Sequence, residues 1–313
     1  MNPNQHQRPP FCLGLTPTIQ RTLWFDRVGK GEVNRASRVD VRLAGKGINV
    51  AFMIPVLGGT ARLVAFRYRH LPKPRFFDYS GCNLAWIEAD AYARTCTTMI
   101  EADGTVTELV EEARLPSPEE WKRMDIAVRT QVSHSGALVL SGALMPGADA
   151  GIYAWWAAAA RADGVPVLID SQGEPLLRVL AEHPRWVKIT RAELERTLDR
   201  PVRNNSRSIA TAAAELCERG AGSVLVTRGG EAAVWVTSGG ERGTITPPKV
   251  QVVNPIGAGD AVSAGMMWAY QQGLSDEEMW KWGIAFGSAR AAVAHSGEVE
   301  PGAIRGLFEA MRS

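Results

Sequence analysis

Cysteine is scarce in this chain of 313 residues, four in all (Cys12, Cys82, Cys96, Cys217), with no two at CxxC spacing. That excludes a disulfide framework and a cysteine-based zinc site. Histidine is as thin, five residues, and His134, His183 and His295 have no partner at metal spacing. Long apolar runs are missing as well: glycine, proline or charge interrupts each candidate before the roughly 18–20 residues that a membrane span needs. Charge of one sign is not in excess. Thirty-five basic against 33 acidic side chains leave +2, too near neutral for a dedicated nucleic-acid surface. Residues 1–10, MNPNQHQRPP, are polar and proline-rich, which reads as a frayed tail and not a secretion signal, so the sequon Asn204-Asn205-Ser206 carries no weight. Repeats of solenoid period are absent. With 45% hydrophobic and 22% charged residues, wholesale disorder is excluded too. A cytoplasmic protein, and an enzyme, is what these absences leave.

The C-terminal two-thirds alternates short β-type runs with helical runs. Residues 137–140 (ALVL), 165–169 (VPVLI), 186–189 (WVKI) and 223–226 (SVLV) are strand-like, with helical stretches at 150–163 and 208–219. Continuous apolar strands joined through helices read as a parallel sheet covered on both faces. Ligands collect beyond the carboxyl ends of such strands, where Ser141, Asp170, Lys188 and Thr227 fall. The first third differs. Residues 22–41 and 93–110 read as polar-faced antiparallel pieces, the second turning at Asp103-Gly104. They fit a small flap over the site or edge hairpins of the main sheet; pattern alone leaves both open. Ten tryptophans are many for this length, and Trp155-Trp156 and Trp280/Trp282, in helical runs, are expected in the core or a subunit contact. Cys12 and Cys96 are expected to pack as small apolar side chains.

Two glycine clusters could carry chemistry. Residues 250–253 read as a strand approaching Asn254-Pro255-Ile256-Gly257-Ala258-Gly259-Asp260, and a helix over 261–272 follows, stopped by Gly273. Gly257 and Gly259 then lie at a helix N-terminus, where bare amides and the helix dipole favour an anion. Asp260 in that first turn stays ionised and could take the proton of a hydroxyl being phosphorylated, while the amides stabilise the transferred group. The same residues also read as an aspartate satisfying its own helix end beside a tight turn, and spacing does not decide. Ala44-Gly45-Lys46-Gly47-Ile48-Asn49 could wrap a phosphate or a polyhydroxy ligand, or be a charged loop. It is not a Walker A motif, since Gly47 stands where Ser or Thr is required.

Taken together, the Gly-Lys-Gly-x-Asn start and the Gly-Ala-Gly-Asp start resemble the ribokinase-like (PfkB-type) carbohydrate kinases over nearly the whole chain. Leu140-Ser141-Gly142 and Val226-Thr227-Arg228-Gly229-Gly230 match strand ends that flank substrate and nucleotide in that family. Thr95-Cys96-Thr97-Thr98 with Gly104-Thr105-Val106-Thr107-Glu108-Leu109 is similar to its 1-phosphofructokinase and tagatose-6-phosphate kinase branch. The resemblance implies an α/β fold: an αβα sandwich with a mostly parallel central sheet (1–21, 46–91 and 114–313) and a small, discontinuous β-sheet lid (22–45 and 92–113). It implies ATP-dependent phosphorylation of a sugar hydroxyl, with Asp260 as base and Gly257, Ala258 and Gly259 as anion hole. The nucleotide side would be Lys188, Thr227, Gly229, Gly257 and Gly259, with Glu193 acting indirectly through Mg²⁺. Gly45, Lys46, Asn49, Ser141 and Gln20 would hold the sugar. Arg94 would bind the phosphate of a sugar phosphate, a task that suits a guanidinium fork.

Departures cluster on the sugar side. Thr16 replaces an asparagine, and Gln20 replaces the aspartate that grips sugar hydroxyls, offering a neutral donor and acceptor instead. Ala44 replaces the first glycine of Gly-Gly-Lys-Gly, Ala143 a common serine, Thr190 the asparagine of Asn-x-x-Glu, and Ala232 the last glycine of the nucleotide loop. The expectation is altered substrate choice with phosphoryl transfer retained. The leading reading is therefore a Mg²⁺-dependent ATP:sugar-phosphate kinase that takes a small-molecule sugar or sugar phosphate, with no nucleic acid or membrane partner. A lid with one apolar face would form a homodimer. A non-catalytic sugar or nucleotide sensor on the same scaffold, and a nucleoside or small-alcohol kinase, stand beside it.

Overall fold

The structure, a computed structural model, describes residues 4–71 and 81–312. Residues 72–80, within the expected core segment 46–91, and residues 1–3 of the expected tail lie outside the described residues, as does residue 313. The chain begins with β1 (Phe11–Gly14), buried throughout, then leaves the core for the antiparallel pair β2 (Thr18–Phe25) and β3 (Arg38–Ala44). Helix α1 (Lys46–Met53) brings it back, and β4 (Ala61–Arg69) and β5 (Cys82–Tyr92) pair in parallel. β6 (Arg94–Glu101) and β7 (Val106–Glu111) form the second hairpin, turned at Gly104 with φ +87°.

Strand and helix then alternate: α2 (Pro118–Val132), β8 (Leu138–Ser141), α3 (Ile152–Ala162), β9 (Val167–Asp170), α4 (Gly173–Leu180), β10 (Trp186–Thr190), α5 (Arg191–Leu198), α6 (Ser206–Glu218) and β11 (Ser223–Arg228). An antiparallel edge, β12 (Glu231–Thr237) and β13 (Arg242–Ile245), precedes the closing helices α7 (Ala258–Gln271), α8 (Asp276–Ala291) and α9 (Pro301–Ala310).

The large sheet has nine strands in the order β13-β12-β11-β10-β9-β8-β1-β4-β5, parallel from β11 to β5. Its central strands are continuous apolar runs because helices cover both faces. On one face Met124, Trp156, Leu176, Leu194 and Ile209 bring in α2 to α6. On the other, Ile48, Met267, Trp280, Phe286 and Phe308 bring in α1 and α7 to α9. The four-stranded sheet, β3-β2-β6-β7, is separate. A parallel β2–β6 ladder fuses the two hairpins into one sheet, which removes the edge-hairpin alternative. No helix among the described residues is long and apolar enough to cross a membrane.

Two local expectations change. Residues 250–253 form no strand: Val252 and Val253 are exposed, and the amides of Val253 and Asn254 bond the Ala291 carbonyl at the end of α8 instead of a sheet neighbour. Residues 4–10 are not frayed. The Gln5 amide and the Arg8 guanidinium donate to the carbonyls of Ser135 and Ser133, and Pro10 accepts from the Arg62 amide as the chain enters β1. Trp156 is buried but Trp155 is exposed, whereas Trp280 and Trp282 stack on Trp235 and Phe308 in the core. Cys12 and Cys96 are buried side chains, as their reading as packing residues requires.

Candidate active site

The carboxyl ends of β8 to β11 lie side by side, with Ser141 beside Asp170 and Thr190 beside Thr227 in the ladder. Two helix N-termini meet above them. α1 can start there because Gly47 has no side chain: a Cβ would stand 1.9 Å from the Leu13 carbonyl oxygen of β1. Lys46 and Asn49, three residues apart, consequently share the face of α1 that looks over the strand ends. α7 starts from Gly257, whose left-handed φ of +80° reverses the chain between Ile256 and Ala258. The Asn254 side chain sets up this turn, accepting from the Ile256 amide at 3.0 Å and donating to the Ala294 carbonyl at 2.8 Å.

Asp260, in the first turn of α7, is buried, and its Oδ2 accepts a 2.6 Å hydrogen bond from Asn49 Nδ2. Burial above all, with the Asp170 carboxylate nearby, pushes its pKa up from 3.8 to about 6, against the pull of the Asn49 amide and of Lys46 and Lys188. Asp170 lies beneath it and is fully buried. Burial alone would raise the Asp170 carboxyl, but the ammoniums of Lys188 and Lys46, with bonds from Lys188 and Ser263, outweigh that and hold it below its ordinary value. Lys188 Nζ is 3.0 Å from Asp170 Oδ2, and Ser263 Oγ donates to the same oxygen at 3.2 Å. The Lys188 ammonium also lies 2.9 Å from where a Cβ on Gly259 would be, so the glycine makes room for it at the start of α7.

Lys46 reaches between carboxylates, 3.8 Å from Asp170 and 3.4 Å from Glu193. Asp170 first, then Glu193 and Asp260, hold it protonated above its ordinary value despite burial. Glu193 is fixed by a capping box at the start of α5, where its Oε2 accepts from the Thr190 amide and hydroxyl, each at 2.9 Å. Thr190, one of the sequence departures, thus anchors the glutamate.

These groups line one cavity of about 250 Å³ between the strand ends and the lid. Gly45, Lys46, Asn49 and Gln20 meet there with Arg94, Lys188 and Glu193 and with Gly257, Gly259 and Asp260. Gln20 donates to Thr98 at 2.9 Å within the lid, and Arg94 faces Glu112 at 3.3 Å. Ser141, Thr227 and Gly229 do not line this cavity. The Ser141 hydroxyl is buried under the sheet edge without a hydrogen-bond partner among the described residues, and Thr227 and Gly229 lie at the neighbouring strand end, Gly229 with φ +61°. Of the amides expected to form the anion hole, that of Ala258 donates to the Pro255 carbonyl at 3.1 Å. Asp170 had been visible only as the polar end of an apolar run; its contact with both lysines appears when residues 46, 170 and 188 converge.

Among the described residues no group of three or more His, Cys, Asp or Glu is arranged to hold a metal ion by itself. The cavity-facing carboxylates, Glu108, Glu193 and Asp260, stand apart among cationic and amide groups, a donor set that fits Mg²⁺ held mainly by phosphates and water, because that ion keeps several waters and takes one or two carboxylates.

The pattern that defines the pfkB family of carbohydrate kinases matches residues 11–301. A 1-phosphofructokinase from Haemophilus influenzae is 27% identical over 287 residues, covering 89% of this chain and 90% of its own. A tagatose-6-phosphate kinase from Staphylococcus epidermidis is 24% identical over 303 residues, covering 96% and 97%. Among solved structures, phosphofructokinase-2 from Escherichia coli in complex with substrates and products superposes with a TM-score of 0.86 at 25% identity, over 98% of this chain and all of the other. Arabidopsis thaliana ribokinase, at 19% identity and a TM-score of 0.77 over 96% and 99%, shares the fold.

Proposed function

The chain belongs to the pfkB family of carbohydrate kinases, and from that premise we propose that it transfers the γ-phosphoryl group of ATP to a hydroxyl of a sugar phosphate, with Asp260 as general base. The observation that carries this reading is the burial of Asp260 at the N-terminus of α7 with its pKa near 6. A carboxylate of that pKa is ionised at neutral pH yet more basic than an ordinary aspartate, which suits it to take the hydroxyl proton as the bond to phosphorus forms. Asn49, bonded to Oδ2, orients it. Gly257, Gly259 and Lys188 line the cavity, and the two amides with the ammonium would stabilise the charge that develops on the transferred group. When bound, Mg²⁺ supplies charge neutralisation at the nucleotide phosphates, and Glu193 is the residue that would hold it through water.

Arg94 and Gln20, on the lid face over the cavity, would read the acceptor: the guanidinium its phosphate, the amide one of its hydroxyls. Thr227 and Gly229, at the adjacent strand end, would hold the nucleotide, and Ser141 would sit beneath the sugar. The relatives named for 1-phosphofructokinase and tagatose-6-phosphate kinase activity favour a phosphorylated ketohexose as acceptor. The lid would be the mobile part, with residues 22–45 and 92–113 moving against the core. Its face turned away from the cavity exposes Val39, Val41 and Leu109, which favours a second copy of the chain packed there.

A coupled ADP-release screen over hexose phosphates, free sugars and nucleosides tests the proposal. Turnover confined to phosphorylated sugars is expected. Turnover of nucleosides alone, or ligand binding by calorimetry with no ADP released from any acceptor, would overturn it in favour of a nucleoside kinase or a sensor.

A further inference from the structure

Arg290, in the last turn of α8, is a guanidinium only 4% exposed, in a helix otherwise built there from Gly287, Ser288, Ala289 and Ala291. Burying a charge is unfavourable unless its donors are satisfied, and its three side-chain hydrogen bonds among the described residues go to uncharged oxygens. Nη1 donates to the carbonyls of Asn254 at 3.3 Å and Val293 at 3.0 Å, and Nε donates to Ser296 Oγ at 3.0 Å. Asn254 opens the turn that leads into α7, while Val293 and Ser296 belong to the segment after α8. The two segments are tied a second time by the Asn254 side chain on the Ala294 carbonyl. On its other side, Nε lies 3.6 Å from where a Cβ on Gly257 would be, so the guanidinium packs directly behind that residue. It lies close enough to Asp260 for the carboxylate to favour its charged form, although burial pulls its pKa down to about 10.

We propose that Arg290 is a positioning residue for phosphoryl transfer. Its planar fork clamps the 254–257 turn to the 293–296 segment, so that the Gly257 and Gly259 amides keep one orientation and a fixed positive charge stands behind them. A lysine would bring the charge but not the fork. A misplacement of about 1 Å in such a cradle can cost on the order of 10²-fold in rate without weakening ligand binding much. The inference rests on the kinase reading above, and its test includes a measurement that does not.

Arg290→Met and Arg290→Lys are compared with wild type in kcat, in KM for ATP and for the sugar phosphate, and in amide hydrogen exchange of residues 254–259 without substrate. The expected result for Met is a kcat lower by about 10²-fold, KM values within about threefold, and exchange faster by about tenfold in 254–259. Lys should fall between Met and wild type in both readouts, and it decides the matter if the Met variant does not fold. Unchanged exchange in 254–259, a kcat equal to wild type in the Met variant, or a Lys variant indistinguishable from wild type in both readouts would each overturn the proposal. If wild type phosphorylates nothing, the kinase reading fails while the exchange comparison still decides whether Arg290 holds the turn.

Discussion

Replacing Asp260 with asparagine should make the protein more stable and less active at once. In the unfolded chain this carboxyl ionises near 3.8, whereas in the folded protein burial and the Asp170 carboxylate keep it protonated up to about 6. At about 1.36 kcal/mol per pKa unit, a rise of about two units makes the ionised form cost roughly 3 kcal/mol of stability. The sign follows from the direction of the shift. The protonated form is the one the fold favours, so that contribution is fully present below pH 3.8 and is lost as pH rises through about 6. Asparagine has the same shape, is neutral at every pH, and keeps an oxygen that can accept from Asn49. Guanidinium unfolding of both proteins across pH 4–8 should therefore show Asp260→Asn more stable by about 3 kcal/mol above pH 7, with the advantage shrinking towards zero near pH 4. Titrating groups that do not interact with Asp260 are common to both proteins and cancel in the difference. An advantage independent of pH, or a variant less stable than wild type at pH 8, would refute the burial argument for this carboxylate.

Asn49→Leu removes the hydrogen bond that favours the charged form of Asp260. Because such a bond to a charge is worth about 1.5–3 kcal/mol, the acid limb of kcat/KM should move up by about 1–2 pH units; an unmoved limb in a pH–rate profile would show that Asp260 is not the group titrating. Arg94→Ala should raise KM for a sugar phosphate by about 10-fold or more while leaving KM for ATP unchanged, since a charge-assisted bond contributes on that order; equal losses for phosphorylated and unphosphorylated acceptors in the same steady-state assay would remove its role. Gly47→Ala should unfold or strongly destabilise the protein in a thermal melt, because its Cβ would overlap the Leu13 carbonyl at 1.9 Å; a wild-type melt would show that α1 does not press on β1 as described.

Much of the core was legible because parallel strands buried on both faces leave short, unbroken apolar runs, and these end where the chemistry collects. Ser141, Asp170, Lys188 and Thr227 could be placed at one sheet edge for that reason. The Asp103-Gly104 turn announced the β6–β7 hairpin through local backbone demand alone. The β2–β6 ladder that joins the two hairpins was not legible, since pairing between residues 76 apart, such as Thr18 and Arg94, has no local signature. Residues 250–253 misled in the other direction: β-branched residues there suggested a strand, but the carbonyl of Ala291 takes the amides of Val253 and Asn254. Lys46 could be read as a ligand for phosphate from its glycine neighbours, yet its contact with Asp170 and Glu193 depends on folding across more than a hundred residues. Arg290 had one visible clue, a lone charge within a run of glycine, serine and alanine, and that clue has meaning only once the acceptors from 254, 293 and 296 surround it.

The most direct measurement is single-turnover transfer from ATP to a hexose phosphate, with wild type and Asp260→Asn each saturated in both substrates and the bisphosphate product followed in time. A slower transfer step in the variant, by about 10²–10⁴-fold, with nucleotide affinity nearly unchanged, is the expected result. A variant that forms product at the wild-type rate would contradict the assignment of Asp260 as the base.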